Sequence, residues 1–244
     1  MINKKIIQDE LQEDLSFMKT TYNLAKYNSN YSSCVKLIKN ITLVPRSGTH
    51  NNFKINEEII IYVINGELTY SDSLGNNKIY YTGNIIHIYS GNGISYDIFN
   101  NGIDFLDIVE INLTTAISNI SNLSTNVKNS CNPAMSYSEI NNTPINQWHY
   151  RISSINGLAP IKSFYDVNIY SLSLSSNARV EFTIGLNRQC FLFQGYGQSI
   201  FNTTINSKNN ITLTGCDNLH ISNETFEILG DIPSDLLLIE TSIL

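Results

Sequence analysis

Charge is scarce in this chain: Asp, Glu, Lys and Arg together make up 15% of its 244 residues, against roughly a quarter in an average soluble protein. The basic side is the poorer one, with 15 Lys and Arg against 21 Asp and Glu and a net charge of -6. No Lys/Arg cluster stands ready to neutralise phosphates, which excludes a nucleic-acid-binding surface. Cysteine is sparse too. Cys34, Cys131, Cys190 and Cys216 lie far apart with no Cys-x-x-Cys pair, so neither a disulfide scaffold nor a zinc ribbon is encoded. No apolar run approaches the roughly 18 residues of a membrane span. The opening stretch MINKKIIQDELQEDLSF carries acids where a secretory leader needs an apolar run. A reduced, cytoplasmic setting is the expectation. A Gly-x-Ser-x-Gly elbow and a Walker loop are both missing. Only four histidines occur, at 50, 87, 149 and 220, and no two are spaced as a ligand pair.

What fills the gap is asparagine, present 34 times. Disorder does not follow, because branched aliphatics and aromatics are abundant. From residue 57 to 112 they fall into short runs between turns. EIIIYVI stops at Asn65-Gly66, ELTYSD at SLGNN, KIYY at TGN and IIHIYS at GNG. Strands of five to seven residues at this spacing predict an all-β sandwich or barrel. The Asn65-Gly66 pair suits a two-residue hairpin, since both positions tolerate positive φ.

The layout returns in QCFLFQGYGQSIF, NSKNN and ITLTGCDNLHIS, with Gly195 and Gly215 taken as the counterparts of Gly66 and Gly83. Two copies of one small barrel explain the repeat. His87 and His220 occupy corresponding places in the copies and read as structural strand residues. The expected division is a barrel with an N-terminal arm over 1–112, a Ser/Asn-rich linker over 113–146 and a second barrel over 147–244. The linker is read as packing on the surface, with room for one short helix. Residues 5–20 fit either a helical turn or an extended arm.

SGTH, NEEIIIYVINGELTYSDSLGN and YTGNIIHIYSGNGISYDIFN together resemble the N-terminal cupin of the pirin-like family, which includes bacterial quercetin 2,3-dioxygenase-type enzymes. The likeness is strongest over 57–100, where turns and strand lengths stay in step without gaps. NPAMSYSEI and the stretch from Gln147 to Leu244 resemble the family's linker and its second, metal-free cupin. The resemblance implies an all-β bicupin: two antiparallel β-barrels of the double-stranded β-helix type, packed face to face. It also implies a divalent metal in the first barrel (Fe, Mn, Ni, Cu or Zn), held by three histidines and a glutamate.

Counted back from Glu58, two of the family's histidine positions fall on Asn52 and Lys54. The third falls on Tyr96 and the glutamate on Ile98. A two-residue shift in the loop would bring His50 to the first position, which still leaves one imidazole. No metal, no cofactor and no catalytic residue are therefore expected. The former ligand positions Asn52, Lys54, Tyr96 and Ile98 are expected to converge as a pocket, with His50, Phe53 and Glu58 as neighbours. Lys54 either points inward, where its ammonium would meet a carboxylate or an anionic ligand, or snorkels out of the mouth. Tyr96 and Phe53 are candidates to plug the cavity, the Tyr96 hydroxyl bonding Lys54, Asn52 or water. Glu58 reads as a charged strand start at the barrel mouth. The implied partners are a small anionic or aromatic molecule or a protein, with neither nucleic acid nor membrane. Against this binding or regulatory reading stand an oxygenase with an altered centre and a protein-interaction scaffold.

Overall fold

A computed structural model describes residues 11–23, 34–114, 132–139, 144–203, 210–215 and 217–243. Strands are the only regular elements among them, and no helix is long and apolar enough to cross a membrane. The chain forms two compact units, divided between Ile140 and Asn141.

The first unit holds β1 (Leu11–Leu15), β2 (Met18–Asn23), β3 (Val35–Leu43), β4 (Ser47–Lys54), β5 (Glu58–Asn65), β6 (Glu67–Asp72), β7 (Asn77–Tyr81), β8 (Ile85–Tyr89), β9 (Ile94–Asn100), β10 (Leu106–Leu113) and β11 (Ala134–Ser138). They make a seven-stranded sheet, ordered β1-β2-β3-β10-β5-β8-β11, and a four-stranded sheet, ordered β4-β9-β6-β7. Side chains alternate across a strand, so an alternating sequence buries one face and a continuous apolar run buries both. β9 alternates buried and half-buried residues along its whole length, whereas all seven residues of Glu58–Ile64 in β5 are buried. The odd-numbered Ile59, Ile61 and Val63 join Tyr70, Tyr80 and Tyr96 in the core between the sheets. The even-numbered residues of β5 lie on the opposite face.

The second unit comprises β12 (His149–Ser154), β13 (Ile161–Ser163), β14 (Val167–Leu174), β15 (Arg179–Thr183), β16 (Arg188–Tyr196), β17 (Gln198–Thr203), β18 (Ile211–Thr214), β19 (Asn218–Ser222), β20 (Thr225–Gly230) and β21 (Ser234–Ser242). Its sheets run β13-β12-β14-β21-β16-β19 and β15-β20-β17-β18. The order β3-β10-β5-β8 thus recurs as β14-β21-β16-β19, and β4-β9-β6-β7 as β15-β20-β17-β18. The sequence repeat is a repeat of topology.

Several local expectations change. Asn65-Gly66 does not close a hairpin: β5 pairs with β10 and β8, while β6 pairs with β7 and β9. The chain instead turns a corner from one sheet to the other. Gly66 has φ +94°, and a Cβ there would lie 2.7 Å from the Phe105 carbonyl oxygen. The matching corner in the second unit is Gly197, with φ +82°, and not Gly195. Of residues 5–20, the described part is neither helical nor a lone arm, because β1 and β2 form a hairpin that β2 joins to β3. Within 113–146, Leu113 closes β10 and residues 134–138 form β11 on β8, so these positions are sheet and not connector. The bulk of that segment, 115–131 and 140–143, lies outside the described residues, as does any short helix in it. Cys190 is a buried free thiol, and Cys131 and Cys216 lie outside the described residues.

The corner glycine separates two kinds of strain. Gly75 also has positive φ, at +88°, but open space surrounds its missing Cβ. Gly75→Ala is expected to cost about 1–2 kcal/mol from the left-handed backbone alone. Gly66→Ala adds a backbone clash and should cost clearly more, read as a larger drop in the urea midpoint.

Candidate functional site

The positions on β4 and β9 are set by their ladder. Asn52 pairs with Tyr96 and Lys54 with Ile94, while Thr49 pairs with Ile98, so β4 bulges at His50-Asn51. Asn51 takes up the extra residue at φ +56°, its N–H donating to Asp97 Oδ1. Such a bulge swings its own side chains away from the ladder. His50 consequently points outward, its side chain 70% exposed and its Nδ1 3.7 Å from Asp97 Oδ2. It does not enter the barrel. Phe53 is 60% exposed and lies against Gly93 on the outside, so it plugs nothing.

The glycine turn before β9 holds the mouth of the barrel together. Gly91 accepts from the Asn56 N–H, and the Ser90 hydroxyl accepts from the Glu57 N–H while donating to its carbonyl. The β4–β5 connection is thereby tied to the start of β9, which places Lys54 and Glu57 side by side. Lys54 Nζ is 3.9 Å from Glu57 Oε2, and Lys36 pairs with the other oxygen of that carboxylate.

Inside, Tyr96 and Ile98 share the inward face of β9, each 1% exposed. The Tyr96 ring stacks on Tyr70 at 6.0 Å, and Tyr70 meets Tyr80 edge-on. The Tyr96 hydroxyl bonds neither Lys54 nor Asn52. It donates to Glu110 Oε2 over 3.3 Å. The Asn52 amide donates instead to Thr49 Oγ1 and to the Tyr96 carbonyl. Glu110, which sequence reasoning passed over, is the centre of the arrangement. It is 2% exposed on β10, and its Oε1 accepts from Lys39 Nζ at 2.8 Å and from Asn112 Nδ2 at 3.0 Å. Burial by itself would raise this carboxyl, but the charge and hydrogen bond of Lys39, the Asn112 amide and the charge of Lys54 outweigh it and hold it below the ordinary carboxylate value. Burial and the neighbouring Glu110 carboxylate push the Tyr96 phenol well above its usual value, so it stays a donor. Asn112 Oδ1 is buried with no hydrogen-bond partner among the described residues.

Glu58 is not at the mouth. It is fully buried on the other face of the seven-stranded sheet, where its Oε2 lies 2.9 Å from His87 Nε2. The second unit repeats this pair with His220 Nε2 2.8 Å from Gln189 Oε1. Among the described residues, no group of three or more His, Cys, Asp or Glu converges.

The ladders also align the two interiors. Phe182 pairs with Phe226 as Asn52 does with Tyr96, and Leu238 pairs with Tyr170 as Glu110 does with Lys39. Ile184 follows β15 where Lys54 ends β4, and Ile228 takes the place of Ile98. The second barrel thus carries Phe182, Ile184, Phe226, Ile228 and Leu238 where the first carries Asn52, Lys54, Tyr96, Ile98 and Glu110.

Residues 10–106 match the family model described as Pirin. Over those residues the chain is similar to the pirin family, and as a whole it has the bicupin fold. The solved structure of YhhW from Escherichia coli superposes with a TM-score of 0.75 at 17% identity, over 96% of this chain and 95% of that one. A second YhhW structure, the bacterial pirin in complex with nickel(II), gives 0.74 at 16% over 96% of each chain. Quercetin 2,3-dioxygenase from Acinetobacter baumannii gives 0.70 at 12% identity, over 96% of this chain and 84% of that one. At such identities the likeness carries the fold. No curated protein matches this chain by sequence.

The Glu110 cluster generates a linked pair of expectations. Lys39→Met leaves a buried carboxylate without its cation and should cost roughly 3–5 kcal/mol at neutral pH. Because the folded-state Glu110 value is depressed, its contribution is present above the ordinary carboxylate range of about 4.3 and fades as pH falls through the lower folded value. The gap between wild type and Lys39→Met should therefore narrow in acid. The double variant Lys39→Met with Glu110→Leu, resembling the second unit, should recover most of the loss in denaturant melts. Tyr96→Ala should cost about 3–5 kcal/mol by opening a cavity against Tyr70.

Proposed function

We propose that this pirin-like protein binds a small organic anion at the mouth of its first barrel, without a metal ion and without chemistry at that site, in a binding or regulatory role in the cytoplasm. The observation that carries this reading is the contrast between the units. A barrel of this topology folds around Phe182, Phe226 and Leu238, with the Glu240–Arg188 pair placed elsewhere, so it needs no charge at the positions of Lys39, Lys54 and Glu110. The first unit nevertheless keeps Lys39, Lys54, Glu57 and Glu110 together, an arrangement whose desolvation penalty makes it a poor route to stability alone.

Its charges suit an anion. Lys36, Lys39 and Lys54 face Glu57 and Glu110, three cations against two carboxylates, in a protein of net charge -6. The half-buried Lys54 ammonium has one weakly placed partner at 3.9 Å, which leaves donors for a carboxylate. The orphan Asn112 Oδ1 marks an acceptor deeper in, suited to water or a ligand hydroxyl.

A divalent metal does not suit the same residues. Ile98 has no donor atom, Lys54 is an ammonium, Asn52 offers a single neutral amide oxygen, and the Tyr96 phenol keeps its proton for Glu110. Protein purified without chelators should carry no stoichiometric Fe, Mn, Ni, Cu or Zn by elemental analysis. About one metal per chain, lost in Asn52→Ala or Tyr96→Phe, would refute the metal-free reading. Titration calorimetry against a panel of small mono- and dicarboxylates should find at least one ligand whose binding Lys54→Met abolishes. Binding that survives Lys54→Met would remove this site from consideration.

A further inference from the structure

The His87–Glu58 pair has a third member in the first unit. β11 pairs with β8 so that Ser136 stands opposite His87, and Ser136 Oγ lies 3.3 Å from His87 Nδ1. The imidazole is thus bracketed, with a serine hydroxyl on one ring nitrogen and a fully buried carboxylate on the other. A neutral imidazole whose Nε2–H donates to Glu58 presents its lone pair at Nδ1, where the Ser136 hydroxyl is placed to donate. This is the nucleophile–base–orienter order of a serine acyl-transfer site, which is recognised by geometry and roles rather than by chain order. The separations fit it, since nucleophile–base distances in ligand-free sites are often somewhat longer than an ideal hydrogen bond.

Access and context separate this trio from a purely structural bridge. His87 and Glu58 are buried, but Ser136 is exposed on the edge strand of the sheet. Its same-face neighbours along β11 are the small Ala134 and Ser138, and Tyr89 lies one step along β8. The second unit supplies the contrast. There the acid is replaced by Gln189, which holds His220 in place but brings no charge to stabilise an imidazolium.

We propose that Ser136, His87 and Glu58 form a second, esterase-type site, for small activated esters such as aryl acetates, on the sheet face opposite the Glu110 cluster. Ser136 Oγ attacks the ester carbonyl and its proton passes to His87 Nδ1. The carbonyl re-forms as the aryl oxygen departs with that proton, leaving acyl-Ser136. A water then gives its proton to Nδ1 and attacks the acyl group. The Ser136 oxygen takes the proton back, for a net change of ester plus water to acid plus alcohol. Ser136 and His87 are the catalytic residues, and Glu58 positions the imidazole.

The test uses the full chain. A fluorophosphonate probe should add one adduct, mapped to the peptide containing Ser136, and p-nitrophenyl acetate hydrolysis should fall about 100-fold in Ser136→Ala. Glu58→Gln, which copies the second unit, should lower kcat and leave KM unchanged, a split that a merely structural role would not produce. Ser136→Cys should react with iodoacetamide about tenfold faster than Ser138→Cys on the same strand face, through the same base. Absence of an adduct at Ser136, hydrolysis undiminished in Ser136→Ala, or equal alkylation of the two cysteine variants would each overturn the proposal.

Discussion

A carboxylate taken out of water must be met by donors or lose its charge, and Glu110 organises the first barrel around that requirement. It sits on the inward face of β10, where the ladder sets Lys39 directly opposite on β3 and Asn112 two residues along the same face. Its remaining oxygen takes the Tyr96 hydroxyl. Tyr96 is held in turn by its stack on Tyr70, whose own hydroxyl donates to Asp72 at the end of β6. That Asp72 also accepts the Leu74 and Asn76 N–H groups. One buried charge thus links four strands and a turn, and moving any member strands a polar atom in the core.

The second unit shows that none of this is needed to build the barrel. With Phe226 on Phe201, and Leu238 where Glu110 would be, the same strand order closes over an apolar core. Its polar groups gather near one end instead, where Arg188 bridges Asp166 and Glu240 and Asn168 donates to Glu240. Aromatic packing of Trp148 and Tyr170 on Phe182 fills the interior beside them. Two barrels with one topology therefore solve the interior differently. The difference localises what is particular to the first.

Strand order and the repeat were legible because turns leave strong marks: Asn, Gly and Asp at fixed offsets between β-branched runs. What those marks do not say is which sheet the next strand joins. Asn65-Gly66 reads as a hairpin because positive φ serves a corner as well as a reversal. The β1–β2 hairpin carries no such mark, since its turn is Ser16-Phe17 between polar strands. Glu110 was within reach. In LDIVEINL, Glu110 and Asn112 interrupt an otherwise apolar run at a spacing of two, which places two polar groups on one buried face. Its partner Lys39 could not be paired with it from sequence, because their separation of 71 residues is bridged only by the sheet. Glu58 was misplaced for a related reason: in a strand buried on both faces, alternation does not tell one interior from the other.

β11 has a consequence of another kind. It lies in the stretch leading from one unit toward the other, yet it is also the outermost strand of the seven-stranded sheet, pinned by Lys78 on Glu139, by the Lys78 ammonium over the Tyr137 ring and by Tyr137 against Tyr80. Beneath it runs β8, IIHIY, a short segment of high β-propensity without charge or proline. Such a strand, once uncovered, is a template for pairing with other chains. β11 thereby covers an edge that would otherwise be open to such pairing. A proteolytic cut within it would threaten solubility before it threatened either core.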